Sequence, residues 1–499
     1  MSAFIDARTV PDGTIVQADL AIIGGGPAGI AIALALASTK LRVVLLEAGG
    51  MSFEPATQAL YNGVKDGVSY LGLQASRMRY LGGGTNIWGG WSRPMDPLDF
   101  EERTWMPHSG WPFGLDALTP HYARAQELCE VGPWLYEKAE SWPQAEAPII
   151  ALGKGGVATR WFEFSKMRGS QLPTHFGERY AEDLQKVANL SAYLHANVTR
   201  IGLAANGASV DQLDVATLTG RKFVVKPKAT ILGAGAIEIA RLMLASHDVM
   251  PNGVGNANDL VGRFFADHPI PRDIATLVLF DGKMPGHYFA PQAMHGALAR
   301  AGLFPSEQYR RASHVLDSSI TVEMPTVLDD LGKAAVAATS KALGVDGSKA
   351  MAYTLGGGCE VTPDPDRRIT LSNERDALGM PRIKLHNTLA ESDLDQFRAT
   401  LKELGRQLLA SRAGMIRLNR KERGDWLNGI DWGNHHMGTT RAAADPKKGV
   451  VDADLKVHGI ANLFVVGSAI YPTYSAVNPT LSIVAMALRL ADHVKGLVR

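Results

Sequence analysis

The sequence predicts an α/β protein: a doubly wound, mostly parallel unit that the chain leaves and re-enters, with a second α+β unit built on an antiparallel sheet between the visits. Three observations predict it. A glycine turn at 24–29 sits between two short apolar runs, at 20–23 and 41–46. The character of the chain changes near residue 270, and the first style returns near Gly433. At 499 residues, 46% of them hydrophobic, the chain exceeds what a single core supports, so two units are the default.

Taken in order, residues 20–23 form a run suited to a strand buried on both faces. The turn 24–29 and an Ala/Leu-rich helix at 30–38 come next. The second buried strand, 41–46, ends at Glu47. Strand, glycine turn, helix, strand and acid together open a doubly wound sheet. A glycine-rich loop occupies 81–90, an irregular aromatic stretch 105–113, and helical spacing returns at 118–131. Residues 190–203 and 211–225 read as strands and turns, the latter an antiparallel pair around Thr219-Gly220. A separate buried strand at 229–232 leads into a second glycine turn and helix. Beyond 270, strands are expected at 274–279, 368–371 and 383–385, and a helix at 327–343. A long amphipathic helix at 391–409 carries Leu394, Phe397, Leu401, Leu404 and Leu408 on one face. A last buried strand, 463–466, precedes a Gly-Ser turn and a helix at 481–494. These elements divide the chain into a cofactor unit at 1–135, 186–270 and 431–499, a substrate-unit or lid segment at 136–185, and a substrate unit at 271–430.

Composition narrows the function. Lys+Arg number 51 against 50 Asp+Glu, a net charge of +1 without charged blocks, which argues against nucleic acid and for a small-molecule partner. The first residues carry acids and a Pro where a secretory signal needs an apolar stretch, and no uninterrupted run of 18 apolar residues suggests a membrane span. Cys129 and Cys359 stand far apart, with neither a redox pair nor metal-ligand spacing, so no metal is expected. A cytoplasmic location fits these features.

The turn A-I-I-G-G-G-P-A-G-I sets Gly24, Gly26 and Gly29 in G-x-G-x-x-G spacing. Gly24 permits the sharp turn. Gly26 clears the approach of a pyrophosphate to backbone N–H groups, and Gly29 allows close helix–strand packing. Glu47, at the end of the second strand, is positioned to accept ribose hydroxyls. This fingerprint does not by itself separate NAD from FAD.

Other segments carry a resemblance. R-Y-L-G-G-G-T-N-I-W-G-G (79–90) resembles the flavin-contacting loop of the glucose–methanol–choline (GMC) oxidoreductases, especially their pyranose-oxidase-like and bacterial sugar-dehydrogenase branch. The match assigns Gly83, Gly84, Thr85, Asn86, Gly89 and Gly90 to the cofactor. Where some members place a histidine bonded to the flavin, this chain has Ile87, so the implied FAD is non-covalent. A-N-V-T-R-I resembles the strand that meets the adenine, with Val198 as its contact. N-H-H-M-G-T-T-R resembles the family's histidine motif and points to His435. V-N-P-T-L-S-I-V-A-M-A resembles its last motif and points to Asn478, with Pro479 and Thr480 at the start of a helix beside the flavin. Gly467 and Ser468 match the turn leading back to the cofactor, although many members carry an acid where Gly467 stands. The resemblance implies a Rossmann-like FAD-binding domain and leaves 270–430 almost unassigned.

The chemistry suits an alcohol donor. Moving a hydride from carbon to a flavin requires a base for the hydroxyl proton, and an imidazole titrates in the useful range. His435 is the candidate base, and Asn478 can donate its amide N–H to the same oxygen. Of the neighbouring residues, His436 and His268 read as structural, Glu360 as a turn-flanking acid, and Trp88 and Trp91 as either flavin walls or core. The expected reaction is oxidation of a CH–OH group of a sugar or glycoside. Oxygen or a separate acceptor takes the electrons, since no C-x-x-C-H or Fe–S cysteine set is present. The alternatives are an FAD-containing lyase of hydroxynitrile-lyase type and a flavin-binding protein without turnover.

Overall fold

The computed structural model describes residues 4–134, 136, 149–168, 173–294, 296–419 and 430–497. Parts of the expected 136–185 and 271–430 segments, at 137–148, 169–172 and 420–429, lie outside the described residues.

One eight-stranded sheet has at its centre Val43–Leu46, Ile15–Ile23 and Lys222–Leu232, with Leu190–Leu194 and Phe4–Asp6 continuing one side. All these pairings are parallel. Leu463–Val465 also pairs in parallel with Lys222–Leu232. Its four central registers are level: Ile23 faces both Leu46 and Leu232, and Leu232 faces Val465. The turns at Gly24, Gly233 and Gly467 therefore leave the sheet at one edge, the carboxyl ends of parallel strands, where such sheets bind ligands. Helices Pro27–Ala35 and Thr480–Leu497 pack on each other and cover this sheet.

The expected hairpin at 211–225 and separate strand at 229–232 are instead joined. Lys222–Leu232 is one strand of 11 residues. Its first half pairs antiparallel with Val210–Ala216 and its second half parallel with Leu463–Val465. Pro227 reads as a break in sequence, yet Lys226, Pro227 and Ala229 stay in register with Gln17, Ala18 and Leu20.

A second eight-stranded sheet is antiparallel throughout. In order it contains Gly414–Leu418, Ala275–Leu279, Met351–Cys359, Ser318–Thr326, Ala297–Pro305, Val157–Phe164 and Trp91–Ser92, with Gln292–Met294 paired to Ala297–Pro305. Helix Glu391–Ala410 packs on it and buries the five apolar residues its periodicity picks out, each contributing about 1.5–3 kcal/mol of burial. Arg368–Arg375 and Pro381–Asn387 do pair, and Val64–Gly67 joins them as a third strand. The short pair Pro269–Pro271 with Ile430–Trp432 sets His268 beside Gly433 at the cavity between the sheets. Among the described residues, no helix is long and apolar enough to cross a membrane.

Candidate active site

A cavity of about 780 Å³ lies between the glycine edge of the first sheet and one face of the antiparallel sheet. Its first wall is mostly backbone. Gly24, Gly26, Gly83, Gly84 and the second turn, 233–236, line it. Among the described residues, a Cβ at Gly26, Gly84 or Gly235 would meet no atom within 4 Å, so these positions open onto the cavity. Gly26 and Gly235 cap their helices without any side-chain hydrogen bond, which leaves first-turn N–H groups for an anion. Gly29 serves packing: a Cβ there would stand 2.0 Å from the carbonyl oxygen of Gly24. Glu47 accepts from the N–H of Gly25 at 2.7 Å and of Gly49 at 2.8 Å. Burial pushes its carboxyl above the usual range, against the pull of those N–H groups. Beside it, Arg79 bonds Glu238 and Asn197, while its Nε has no hydrogen-bond partner among the described residues.

The second wall is made of side chains. His435 Nδ1 lies 2.9 Å from His268 Nδ1, and His435 Nε2 lies 3.2 Å from the amide nitrogen of Asn478. His268 Nε2 lies 2.8 Å from the Ser475 carbonyl oxygen. Burial holds His435 well below its ordinary value, helped by His268 and His436, so its ring is neutral at neutral pH. Burial also lowers His268, opposed by its contacts with the 474–475 backbone and by the charges of Glu360 and Asp317. One carboxylate oxygen of Asp267 accepts the backbone N–H of both His268 (2.7 Å) and His435 (2.8 Å), and its other oxygen accepts the Tyr70 hydroxyl. Burial raises Asp267 to about 6, against these donors. Asn434, beside His435, and Ser475, three residues before Asn478, adopt positive φ, at 59° and 52°, a costly shape of about 1–3 kcal/mol for a non-glycine residue.

Buried charges hold the loop before Asn478. Glu360 is completely buried and pairs with Arg103 through both oxygens, at 2.9 and 3.1 Å. It also accepts the N–H groups of Tyr474 and Ser475, each at 3.2 Å. Asp317 accepts the Ser475 hydroxyl at 2.8 Å and the Ala476 N–H at 2.9 Å. Burial pushes Glu360 upward, but Arg103 and Arg310 outweigh it and keep the carboxyl near 2. Glu360 is thus neither a turn-flanking acid nor a substrate contact. It anchors the loop.

Farther out, Ser319, Thr321 and Glu323 alternate along Ser318–Thr326 and line the cavity with Trp91, Arg272 and Arg300. Burial raises Glu323, with Arg272 the main opposing charge.

Most residues singled out from the sequence line this cavity: Gly24, Gly26, Glu47, Gly83, Gly84, Thr85, Gly89, Gly90, Val198, His435, Gly467, Ser468, Asn478, Pro479 and Thr480. So do Ile87, Trp88 and Trp91. Gly29 lies beneath the turn, and Asn86 donates to the Leu81 carbonyl at 3.0 Å outside the lining. Three groups escape the sequence reading. Gly233–Ala236 carries a legible signal, a glycine turn after a buried strand. Arg79 opens the 79–90 segment, where the resemblance gives it no role. His268, which reads as structural, touches the candidate base, a contact that only the pairing of 269–271 with 430–432 creates.

Residues 363–487 match the family model described as GMC oxidoreductase. Paromamine 6'-oxidase of Streptomyces fradiae is 28% identical over 83% of this chain and 78% of its own. The 2-methyl-1,2-propanediol dehydrogenase of Mycolicibacterium austroafricanum is 24% identical over 96% of this chain and 95% of its own. The crystal structure of a formate oxidase superposes with a TM-score of 0.60 at 17% identity, covering 98% of this chain and 99% of that one, a likeness of fold. The chain is an oxidoreductase. Its residues 363–487 resemble the GMC oxidoreductases, and most of the chain is similar to an oxidase and a dehydrogenase.

Proposed function

We propose that the chain binds FAD non-covalently along the glycine wall and oxidises a CH–OH group of a sugar or glycoside, with His435 as base. The observation that carries this reading is the placement of His435 Nε2 and the Asn478 amide, 3.2 Å apart, in the same cavity as the glycine turns. The residues present fit the cofactor. Open glycines, uncapped helix starts and the partnerless Arg79 Nε suit a dinucleotide's pyrophosphate and sugars, and Glu47 suits a ribose. Ile87 offers no atom for a covalent link. Segments 1–135, 186–270 and 431–499 form the cofactor unit in this reading, and 271–430 the substrate unit.

Bound FAD supplies the hydride acceptor. His435 receives the hydroxyl proton at Nε2, which a neutral, buried imidazole can do. Asn478 points its amide N–H at the same oxygen and steadies negative charge as it develops there. Ser319, Thr321 and Glu323 offer acceptors and donors to further hydroxyls, and Trp91 offers a flat apolar face, a combination suited to a sugar ring. Similarity to a paromamine 6'-oxidase supports this substrate class. The electrons then pass to oxygen or a separate acceptor.

Anaerobic mixing of the purified yellow protein with sugars, glycosides and simple alcohols tests the reading. Sugars or glycosides should bleach the flavin, His435→Ala should slow bleaching at least about 100-fold with FAD still bound, and acid precipitation should leave the flavin in solution. No bleaching by any alcohol, or an unchanged rate in H435A, rejects it.

A further inference from the structure

A base is useful only if its lone pair faces the substrate, and an imidazole has two tautomers. The surroundings of His435 select one. The Ser475 carbonyl can only accept, so the His268 Nε2 atom, 2.8 Å away, carries a proton. A neutral His268 then has a bare Nδ1. The 2.9 Å contact between the two Nδ1 atoms needs one proton between them, and it must come from His435. His435, neutral and protonated at Nδ1, is left with its lone pair on Nε2, the nitrogen that faces Asn478 and the cavity.

We propose that His268 is a positioning residue that fixes His435 in the Nδ1–H tautomer, with the Ser475 carbonyl setting the polarity of the chain. The inference rests on the reading of His435 as base. Three further contacts give the device its rigidity. Asp267 clamps the backbone of both histidines on one oxygen. Gly433 abuts the His435 ring so closely that a Cβ there would stand 2.8 Å from Nδ1. The Ser475 carbonyl is held by the bonds of its own residue to Glu360 and Asp317. When His435 takes the substrate proton at Nε2, its Nδ1–H remains donated to His268, so the positive ring keeps a partner on that side. The proton lost by the alcohol oxygen is the one gained by Nε2, and none leaves the pair. The charged groups facing His268 are Glu360 and Asp317, with His435 across the contact.

The test uses holoenzyme labelled with nitrogen-15 histidine, with His435 assigned by its loss in H435A, and stopped-flow flavin reduction of the same samples. Wild-type His435 should show a proton-bearing Nδ1 and an unprotonated Nε2. In His268→Leu the two nitrogens should move toward an averaged tautomer mixture. Reduction should slow by between about 10-fold and the about 10,000-fold that a wrong tautomer costs, with substrate affinity little changed. His268→Asn, which keeps an acceptor near the Nδ1 position, should recover most of the loss. A proton on Nε2 in the wild-type spectrum overturns the proposal even if H268L does not fold. So does H268L that folds with wild-type shifts and rate. Either result, with H435A still inactive, leaves the base assignment intact, whereas a fully active H435A removes that assignment itself.

Discussion

Between Gly24 and Gly235 the cavity is walled by backbone, and what matters there is the absence of side chains. Opposite it, His435 and Asn478 are side chains whose aim depends on groups far away in sequence: Asp267, Glu360, Asp317 and Arg103. The first wall is assembled locally, each turn by the strand before it and the helix after it. The second exists only once distant segments meet, as in the Arg103–Glu360 pair, 257 residues apart. A wall of backbone tolerates change in its surroundings but not in its own residues. A wall of braced side chains tolerates neither, and substitutions at its supports should be as damaging as those at its tip.

The strongest way to break this contrast is Glu360→Gln. Leaving Arg103 buried without its charge partner should cost about 3–5 kcal/mol in denaturant unfolding. In protein that still folds, flavin reduction should fall while FAD stays bound, and release of FAD along with the lost rate would mean the two walls are one unit. Gly29→Ala attacks the other side. Its Cβ overlaps the Gly24 carbonyl, so a loss of about 1–3 kcal/mol is expected. The flavin-to-protein absorbance ratio should drop, and the residual holoenzyme should keep near-normal turnover. An effect confined to acid conditions concerns His436, which burial holds at about 3, with Arg77 lowering it further. The unfolded chain binds a proton there near pH 6.5 and the folded one does not. This site's contribution to stability is therefore complete above pH 6.5 and is lost as pH falls toward 3. In His436→Gln, unfolding free energies from denaturant titrations across that range should decline less steeply as pH falls, by up to about 1.4 kcal/mol per pH unit. An unchanged slope would show that His436 titrates normally.

Legibility in the sequence divides along the same line. The turn 24–29, Glu47 and the helix at 391–409 declare themselves because their signals are local: spacing, an acid at a strand end, a 3.6-residue period. His435 and Asn478 emerge by resemblance. Their supports do not, because Asp267, His268 and Glu360 acquire meaning only through contacts made by strand pairing and ion pairing over long separations. Lys222–Leu232 reads as two segments because Pro227 and the flanking lysines look like punctuation, whereas a neighbour on each side holds the strand together.

The late pairing of Leu463–Val465 with Lys222–Leu232 has a consequence for the birth of the protein. At ribosomal speeds the stretch from Leu232 to Leu463 takes about 10 to 50 s to emerge. Throughout that interval an apolar strand edge waits uncovered, and Asn478 has yet to be made. The nascent enzyme is therefore sticky before it is competent, and a shielding chaperone should improve its yield more than any change in the finished fold.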